Sequence, residues 1–158
     1  MENRKGKVKI GESVPFFSSV IENGEKITSE TIKGHKTILF FYGQDDTPTC
    51  TKEACNLRDN FKTFASRGFK VYGISKDNEK KHKKFIEKYD LPYSLIADTD
   101  LSVMNAFGYY GPKRFMGKDV IGVYRTTIIT DENAIITHII EDVVSAEHSS
   151  QIKAALGI

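Results

Sequence analysis

Residues 37–55 read TILFFYGQDDTPTCTKEAC, and this stretch joins an apolar strand to a polar loop and then to the start of a helix. Residues 37–42 are a continuous run of β-branched and aromatic side chains, which is typical of a strand buried on both faces of a sheet. From residue 48 to about residue 66, apolar or small side chains recur at helical spacing, and Gly68 ends the helix. A strand that leads through a loop into a helix predicts an α/β fold.

Upstream of this stretch, the sequence predicts a small N-terminal β-hairpin. Residues 16–21 and 25–28 are the expected strands, and Asn23 followed by Gly24 favours the tight turn between them. Residues 1–12 form a polar lead-in, of which we expect residues 1–10 to be flexible.

Downstream, strands and helices continue to alternate. We expect strands at 69–75, 93–97, 122–130 and 134–140, and a loop at 108–117. The expected helices run from a cap at Asp77 or Asn78 to Tyr89, over 101–107 and over 147–156. This order, which ends in a hairpin and a helix, predicts an α/β sandwich with helices flanking a central mixed sheet.

Length and charge exclude several classes of protein. The chain has 158 residues, of which 39% are hydrophobic, so we assign residues 1–158 to one globular domain. The net charge is only +2, which gives no bulk attraction to nucleic acid or to an anionic membrane. The apolar run at 38–42 is far too short to span a bilayer. No apolar stretch follows the basic N-terminus, so we expect no secretion signal and a cytoplasmic protein.

Cys50 occupies the position in the predicted helix that best suits an anion. Thr47 and Pro48 have the pattern of an N-cap followed by proline at the first helical position, which makes Cys50 the third. Free backbone N–H groups and the positive end of the helix dipole meet there. We therefore expect Cys50 to form a thiolate more readily than a free cysteine, with the Thr47 hydroxyl donating to the sulfur or to a bound oxygen.

Cys55 lies five residues further on, too far to bond with Cys50 in a regular helix. That separation is about 7.5 Å along the axis and ~140° around it, so the two Cα atoms are ~8–9 Å apart. A disulfide tolerates about 7 Å between its Cα atoms. If the two sulfurs bond, the first turns of the helix must unwind, which favours a redox switch over a structural staple.

The segment resembles the peroxiredoxins, in particular the bacterioferritin comigratory protein or PrxQ subfamily. The family motif ends a strand with FYP and continues through a threonine to CTxEACxxRD; here FY stands at 41–42 and TPTCTKEACNLRD at 47–59. Further matches are YGISKD at 72–77, FMGK at 115–118 and GVYRTT at 122–127. Together they cover most of the chain in the family's order.

The resemblance implies a thioredoxin-like fold and a thiol peroxidase. Cys50 would be the peroxidatic cysteine and Cys55 the resolving one, with Thr47 and Arg125 completing the peroxide site. Glu53 would orient the arginine. Hydrogen peroxide or an organic hydroperoxide would oxidise Cys50, and thioredoxin or a similar dithiol would reduce the resulting Cys50–Cys55 disulfide. No cofactor and no metal are implied, and members of the subfamily are monomers or weak dimers.

One position departs from the family pattern. Gly43 follows Tyr42 where the family has a proline that packs over the reactive sulfur. Glycine covers less of the sulfur than proline does, and its backbone is more flexible. We therefore expect either another group to close the pocket or a protein that is slower or more easily over-oxidised.

Other interpretations remain open at this point. Two cysteines alone are also compatible with inert buried thiols. A thioredoxin-like disulfide reductase would normally use CxxC, whereas four residues separate the cysteines here. A non-enzymatic redox sensor or holdase would form the same disulfide without cycling. The basic run KKHKK at 80–84 is interpreted as a solvated helix face, and the histidines show no metal-ligand spacing: His35, His82, His138 and His148.

Overall fold

A computed structural model describes residues 6–158 of the chain. Its strands are, in chain order, β1 (Ser18–Val20), β2 (Lys26–Thr28), β3 (Lys36–Phe41), β4 (Phe69–Ser75), β5 (Ser94–Ala97), β6 (Tyr110–Phe115), β7 (Lys118–Val123), β8 (Thr126–Thr130) and β9 (Ile136–Ile140). Its helices are α1 (Pro48–Asp59), α2 (Phe61–Ala65), α3 (Glu79–Tyr89), α4 (Ser102–Phe107) and α5 (His148–Leu156), with a 3₁₀ turn at Ser145–Glu147.

The central sheet has five strands in the order β5-β4-β3-β8-β9. β3 runs parallel to β4 and β4 to β5, whereas β8 is antiparallel to both β3 and β9. The sheet is therefore mixed, as predicted. β1 and β2 pair antiparallel, which confirms the N-terminal hairpin.

Strand β3 lies at the centre of the sheet and divides the hydrophobic core into two layers. Because successive side chains of a strand point to opposite faces, Ile38 and Phe40 lie in one apolar cluster and Leu39 and Phe41 in the other. The first cluster includes apolar residues of α1, α2, α3 and α5, and it also contains Cys50. The continuous apolar run of the sequence is thus explained by burial on both faces.

Several elements begin or end at or near the residues that the sequence predicts. Asn78 caps α3, where its side chain accepts a hydrogen bond from the amide of Lys81. Strand β4 has the predicted bounds. The closing helix, predicted over 147–156, begins at His148 after the 3₁₀ turn.

The single helix predicted over 48–66 is wrong in one respect, because Asn60 interrupts it. Asn60 has a non-helical backbone (φ −116°, ψ 9°), and its side-chain amide donates to the carbonyl of Asn56 at 2.9 Å. An asparagine side chain that bonds the local backbone competes with the helical hydrogen bonds. Helix α1 therefore ends at Asp59, and the short helix α2 follows.

The loop predicted at 108–117 is also wrong. Residues 110–115 form β6, which pairs with β7 around a turn in which Met116 (φ 53°) and Gly117 (φ 78°) both have left-handed backbones. Such a turn suits the twist of a hairpin. The strand predicted over 122–130 is accordingly two strands, because β7 ends at Val123 and β8 begins at Thr126.

Residues 1–5 of the polar lead-in lie outside the described residues. Within the described part, the amide of Lys7 donates to the carbonyl of Phe107 at 2.8 Å, and Val8 is buried. The flexibility expected for residues 1–10 stays a prediction. Among the helices within residues 6–158, none is long and apolar enough to cross a membrane.

Candidate active site

Cys50 lies at the third position of α1, as the sequence predicts. Thr47 is the N-cap with an extended backbone (φ −81°, ψ 155°), and Pro48 opens the helix. The Thr47 Oγ1 accepts a hydrogen bond from the amide of Cys50 at 3.3 Å. The Thr47 hydroxyl hydrogen is directed to the carbonyl of Gln44 over a long 3.4 Å, so a better acceptor in the pocket can compete for it.

Arg125 reaches the start of α1 from the two-residue break between β7 and β8. Its Nη2 donates to Glu53 Oε1 at 2.5 Å, and Glu53 is completely buried. Burial alone would lower the pKa of Arg125, but the charge of Glu53 and the contact with the Cys50 sulfur outweigh it and raise the pKa. The guanidinium therefore stays charged beside Cys50, where a positive charge favours a thiolate.

Glu53 is a buried carboxyl held by that arginine. Burial raises its pKa, and the positive charge of Arg125 opposes the rise. Its second oxygen, Oε2, faces the Nδ1 of His148 at 3.2 Å. The ion pair with Arg125 places Glu53 where it can orient the guanidinium, and that role stays a prediction from the resemblance.

A cavity of about 490 Å³ opens in front of Cys50. Its wall combines the polar groups of the helix start with apolar side chains of the β6–β7 hairpin; it includes Thr47, Cys50, Met104, Tyr110, Phe115, Val123 and Arg125. The hairpin wall was not predicted from the sequence, because residues 108–117 have the pattern of a loop. The cavity brings Thr47, Cys50 and Arg125 to one place.

Gly43 lines this cavity beside the sulfur of Cys50. A Cβ at this position would lie 3.9 Å from the Cys50 Sγ and 3.9 Å from a methyl carbon of Val123, which is ordinary contact. Glycine is therefore not required for steric reasons, and its presence leaves uncovered the space that a proline would fill. Easier over-oxidation of Cys50 stays a prediction.

Tyr42 belongs to the apolar cluster that contains Cys50, but its hydroxyl bonds to the loop before α1. It donates to Asp45 Oδ1 at 2.5 Å, and Asp45 Oδ2 lies 2.7 Å from His82 Nδ1. Asp45, Asp77 and His82 are close enough together to hold a metal ion. Their polar atoms are already used, since Asp77 accepts from the Asp45 amide and from Ser75 and pairs with Lys81.

This buried cluster anchors the loop that precedes α1. His82 Nε2 lies 2.9 Å from the carbonyl of Ile96, so the loop is joined to α3 and β5. The neighbouring Asp46, which has a left-handed backbone (φ 62°), accepts from Lys88 at 2.7 Å and from Tyr89 at 2.8 Å. The chain is thus held firmly just before Thr47.

Cys55 lies in the same helix as Cys50, and both thiols are free. Burial raises the pKa of Cys55, with a smaller opposing effect from Arg58. The helix around it is held from outside: Tyr93 donates to the carbonyl of Ala54 at 2.7 Å. Asn56 accepts from the amide of Ser149 at 2.6 Å. The turns between Thr47 and Glu53 carry fewer such ties than the turns after them.

Two further side chains near the site were not predicted from the sequence. His148 and Thr127 are completely buried, and the His148 Nε2 lies 2.6 Å from the Thr127 Oγ1. Burial, assisted by the positive charge of Arg125, lowers the pKa of His148 to about 3. No sequence signal could have found them, because α5 and β8 meet α1 only through the tertiary fold.

Comparison with known proteins identifies the family. The AhpC/TSA family model matches residues 10–139, and the chain belongs to that family. It is 38% identical to a putative Bcp peroxiredoxin of Coxiella burnetii over 94% of this chain and 99% of that protein. It is 36% identical to peroxiredoxin Bcp of Escherichia coli over 89% of this chain and 90% of that protein.

Solved structures agree with the thioredoxin-like peroxiredoxin fold. The bacterioferritin comigratory protein of Xanthomonas campestris, for which alkyl peroxide reduction activity is described, matches with a TM-score of 0.82 and 28% identity. The match covers 89% of this chain and 90% of that protein. The resemblance to the Bcp and PrxQ peroxiredoxins is therefore confirmed.

Proposed function

We propose that the protein is a thiol peroxidase that reduces hydrogen peroxide and organic hydroperoxides through Cys50 and Cys55. The observation that carries the proposal is the position of Cys50, at the start of α1 beside the buried Arg125–Glu53 pair. Membership of the peroxiredoxins supports the same conclusion.

In the first step, the Cys50 thiolate attacks the terminal oxygen of the peroxide, ROOH. The O–O bond breaks, Cys50 becomes a sulfenic acid, and RO⁻ takes up a proton and leaves as ROH, which is water when R is hydrogen. Arg125 stabilises the negative charge that develops on the leaving oxygen, and Thr47 offers its hydroxyl to a peroxide oxygen. The helix start favours the thiolate before the reaction.

In the second step, the Cys55 thiol attacks the sulfenic sulfur of Cys50. A disulfide forms, and the sulfenic hydroxyl leaves as water with the thiol proton. Both cysteines lie in α1, so the helix must unwind between them. The anchors at Asp46 and at Ala54 flank the turns that unwind, and the contacts of Glu53 with Arg125 and His148 lie within those turns and must break or move with them.

The cavity supports organic hydroperoxides as substrates in addition to hydrogen peroxide. Apolar side chains of the β6–β7 hairpin, Phe115 and Val120 among them, line the same cavity as Thr47. An alkyl group that fills this space would lose water-exposed apolar surface on binding. The related Xanthomonas campestris protein is described as reducing alkyl peroxides.

An external dithiol completes the cycle by thiol–disulfide exchange. We propose thioredoxin, or a similar protein dithiol, in the cytoplasm, with the peroxidase acting as a monomer or weak dimer. The reaction needs no metal, haem or flavin, because the two cysteine sulfurs carry the electrons.

Peroxide consumption with a thioredoxin system tests this proposal. We expect NADPH oxidation by thioredoxin reductase and thioredoxin to continue for many turnovers when both the protein and peroxide are present, and to stop without peroxide. Reduction of insulin without use of peroxide would instead indicate a disulfide reductase. Consumption of a single equivalent of peroxide without cycling would indicate a redox sensor, and either of these results would contradict the proposal.

A further inference from the structure

Glu53 has one carboxylate oxygen that Arg125 does not satisfy. Oε1 accepts from Arg125, whereas Oε2 is buried and has no hydrogen-bond partner. The Nδ1 of His148 is likewise buried and without a hydrogen bond, and it lies 3.2 Å from Oε2. A buried polar atom without a partner is costly, so these two atoms stabilise each other if a hydrogen lies between them.

The contact with Glu53 decides which nitrogen of His148 carries the hydrogen, because the Thr127 hydroxyl can either donate to or accept from Nε2. A buried imidazole with its pKa near 3 is neutral at pH 7 and has a single N–H. If Nδ1 carried a lone pair, that lone pair would face a carboxylate oxygen 3.2 Å away, which is repulsive. With the hydrogen on Nδ1, the 3.2 Å contact with Glu53 Oε2 is attractive, and Nε2 accepts from the Thr127 hydroxyl at 2.6 Å.

We propose that His148 is a positioning residue for the peroxidase reaction: its Nδ1–H donates to Glu53 and thereby holds Arg125 against Cys50. This inference rests on the proposed function. With Oε1 bound by Arg125 and Oε2 against the Nδ1 of His148 at 3.2 Å, rotation of the carboxylate is opposed at both oxygens, which favours one direction of the guanidinium. Through this contact the C-terminal helix α5 supports the active site.

The surroundings of His148 hold the ring in place. It lies edge-on to Phe40, with ring centroids 5.6 Å apart, and it opens α5. The next residue, Ser149, donates its amide to Asn56 of α1 at 2.6 Å. The imidazole is thus fixed both by β3 and by the contact between α5 and α1, as a positioning group requires.

Two substitutions separate hydrogen bonding from packing. His148→Asn keeps a side-chain N–H close to the place of Nδ1, whereas His148→Gln places its amide nearer to Nε2 and leaves Glu53 Oε2 unsatisfied. Ser149→Ala, at the next buried position of α5, is the control for general damage to that helix. Thr127→Val removes the hydroxyl that bonds to the Nε2 of His148. All variants carry Cys55→Ser, so that only the oxidation of Cys50 is measured.

The measurements are the rate of Cys50 oxidation by peroxide and the pH dependence of its alkylation by iodoacetamide, which reports thiolate formation. We expect His148→Gln and Thr127→Val to slow oxidation by about tenfold, typical of losing a group that orients a functional side chain, and to move the alkylation profile to higher pH. His148→Asn and Ser149→Ala keep rates close to those of the parent.

Three results would overturn the inference. One is an unchanged alkylation profile in His148→Gln and Thr127→Val. The second is an equal loss in His148→Asn and His148→Gln, which would indicate packing alone. The third is a loss in Ser149→Ala as large as in His148→Gln. Should the parent with Cys55→Ser fail to react with peroxide, the proposed function itself is wrong, and this outcome is distinguishable from the other three.

Discussion

The Cys50→Ser variant is expected to lose peroxide reduction by at least about a thousandfold, because a serine hydroxyl neither ionises at neutral pH nor accepts an oxygen atom from a peroxide. The substitution replaces one atom in a buried position, so the fold should persist. The measurement is the rate of peroxide consumption with thioredoxin, alongside a thermal unfolding curve that shows the variant to be folded.

Cys55→Ser is the matched control, since it makes the same change in the same helix. It should retain the first oxidation of Cys50 at the parent rate, fail to form the Cys50–Cys55 disulfide and lose normal recycling. Peroxide turnover that survives in Cys50→Ser contradicts the assignment of the peroxidatic cysteine. Recycling by thioredoxin in Cys55→Ser as efficient as in the parent contradicts the assignment of the resolving one.

The second large effect is expected at Arg125. Arg125→Met should lower the rate of Cys50 oxidation by about 10²–10³-fold, because the charge beside the sulfur and the leaving oxygen is lost. It should also destabilise the fold by about 3 kcal/mol, since Glu53 is left buried without its partner. Stopped-flow oxidation and chemical denaturation measure the two effects separately.

A double variant separates catalysis from stability at this pair. Arg125→Met combined with Glu53→Gln removes the unpaired buried charge, so stability should recover while the slow oxidation remains. Arg114→Met is the control for loss of a surface arginine, because Arg114 pairs with Asp119 on the exposed hairpin. Oxidation by Arg125→Met at the parent rate would contradict a role for the guanidinium in peroxide reduction.

The fold could be predicted where local chemistry determines it. Asn78 capped its helix as expected, and the apolar run at 37–42 became the central strand. The wrong prediction of a loop at 108–117 has a different reason: the side chains of β6 and β7 are mostly exposed and alternate weakly, so the pairing of the two strands left little trace in the sequence. The break at Asn60 depends on a bond from one side chain to the local backbone.

The candidate site was predictable to a similar extent. Thr47 and Cys50 follow from the pattern of a helix start, which is a local feature. Arg125 lies 75 residues after Cys50, and only the resemblance to a known family brought the two together. His148 was predicted neither from the local pattern nor from the resemblance, because its contact with Glu53 depends on how α5 packs on α1.

The central claim is that Cys50 is oxidised first and then bonds to Cys55 as α1 unwinds. Mass spectrometry after one equivalent of peroxide tests it most directly. The prediction is an intramolecular disulfide between Cys50 and Cys55, seen as the loss of two hydrogen atoms in the peptides that contain them. A sulfinic acid on Cys50 beside a free Cys55 thiol, or a disulfide between two chains, would contradict it.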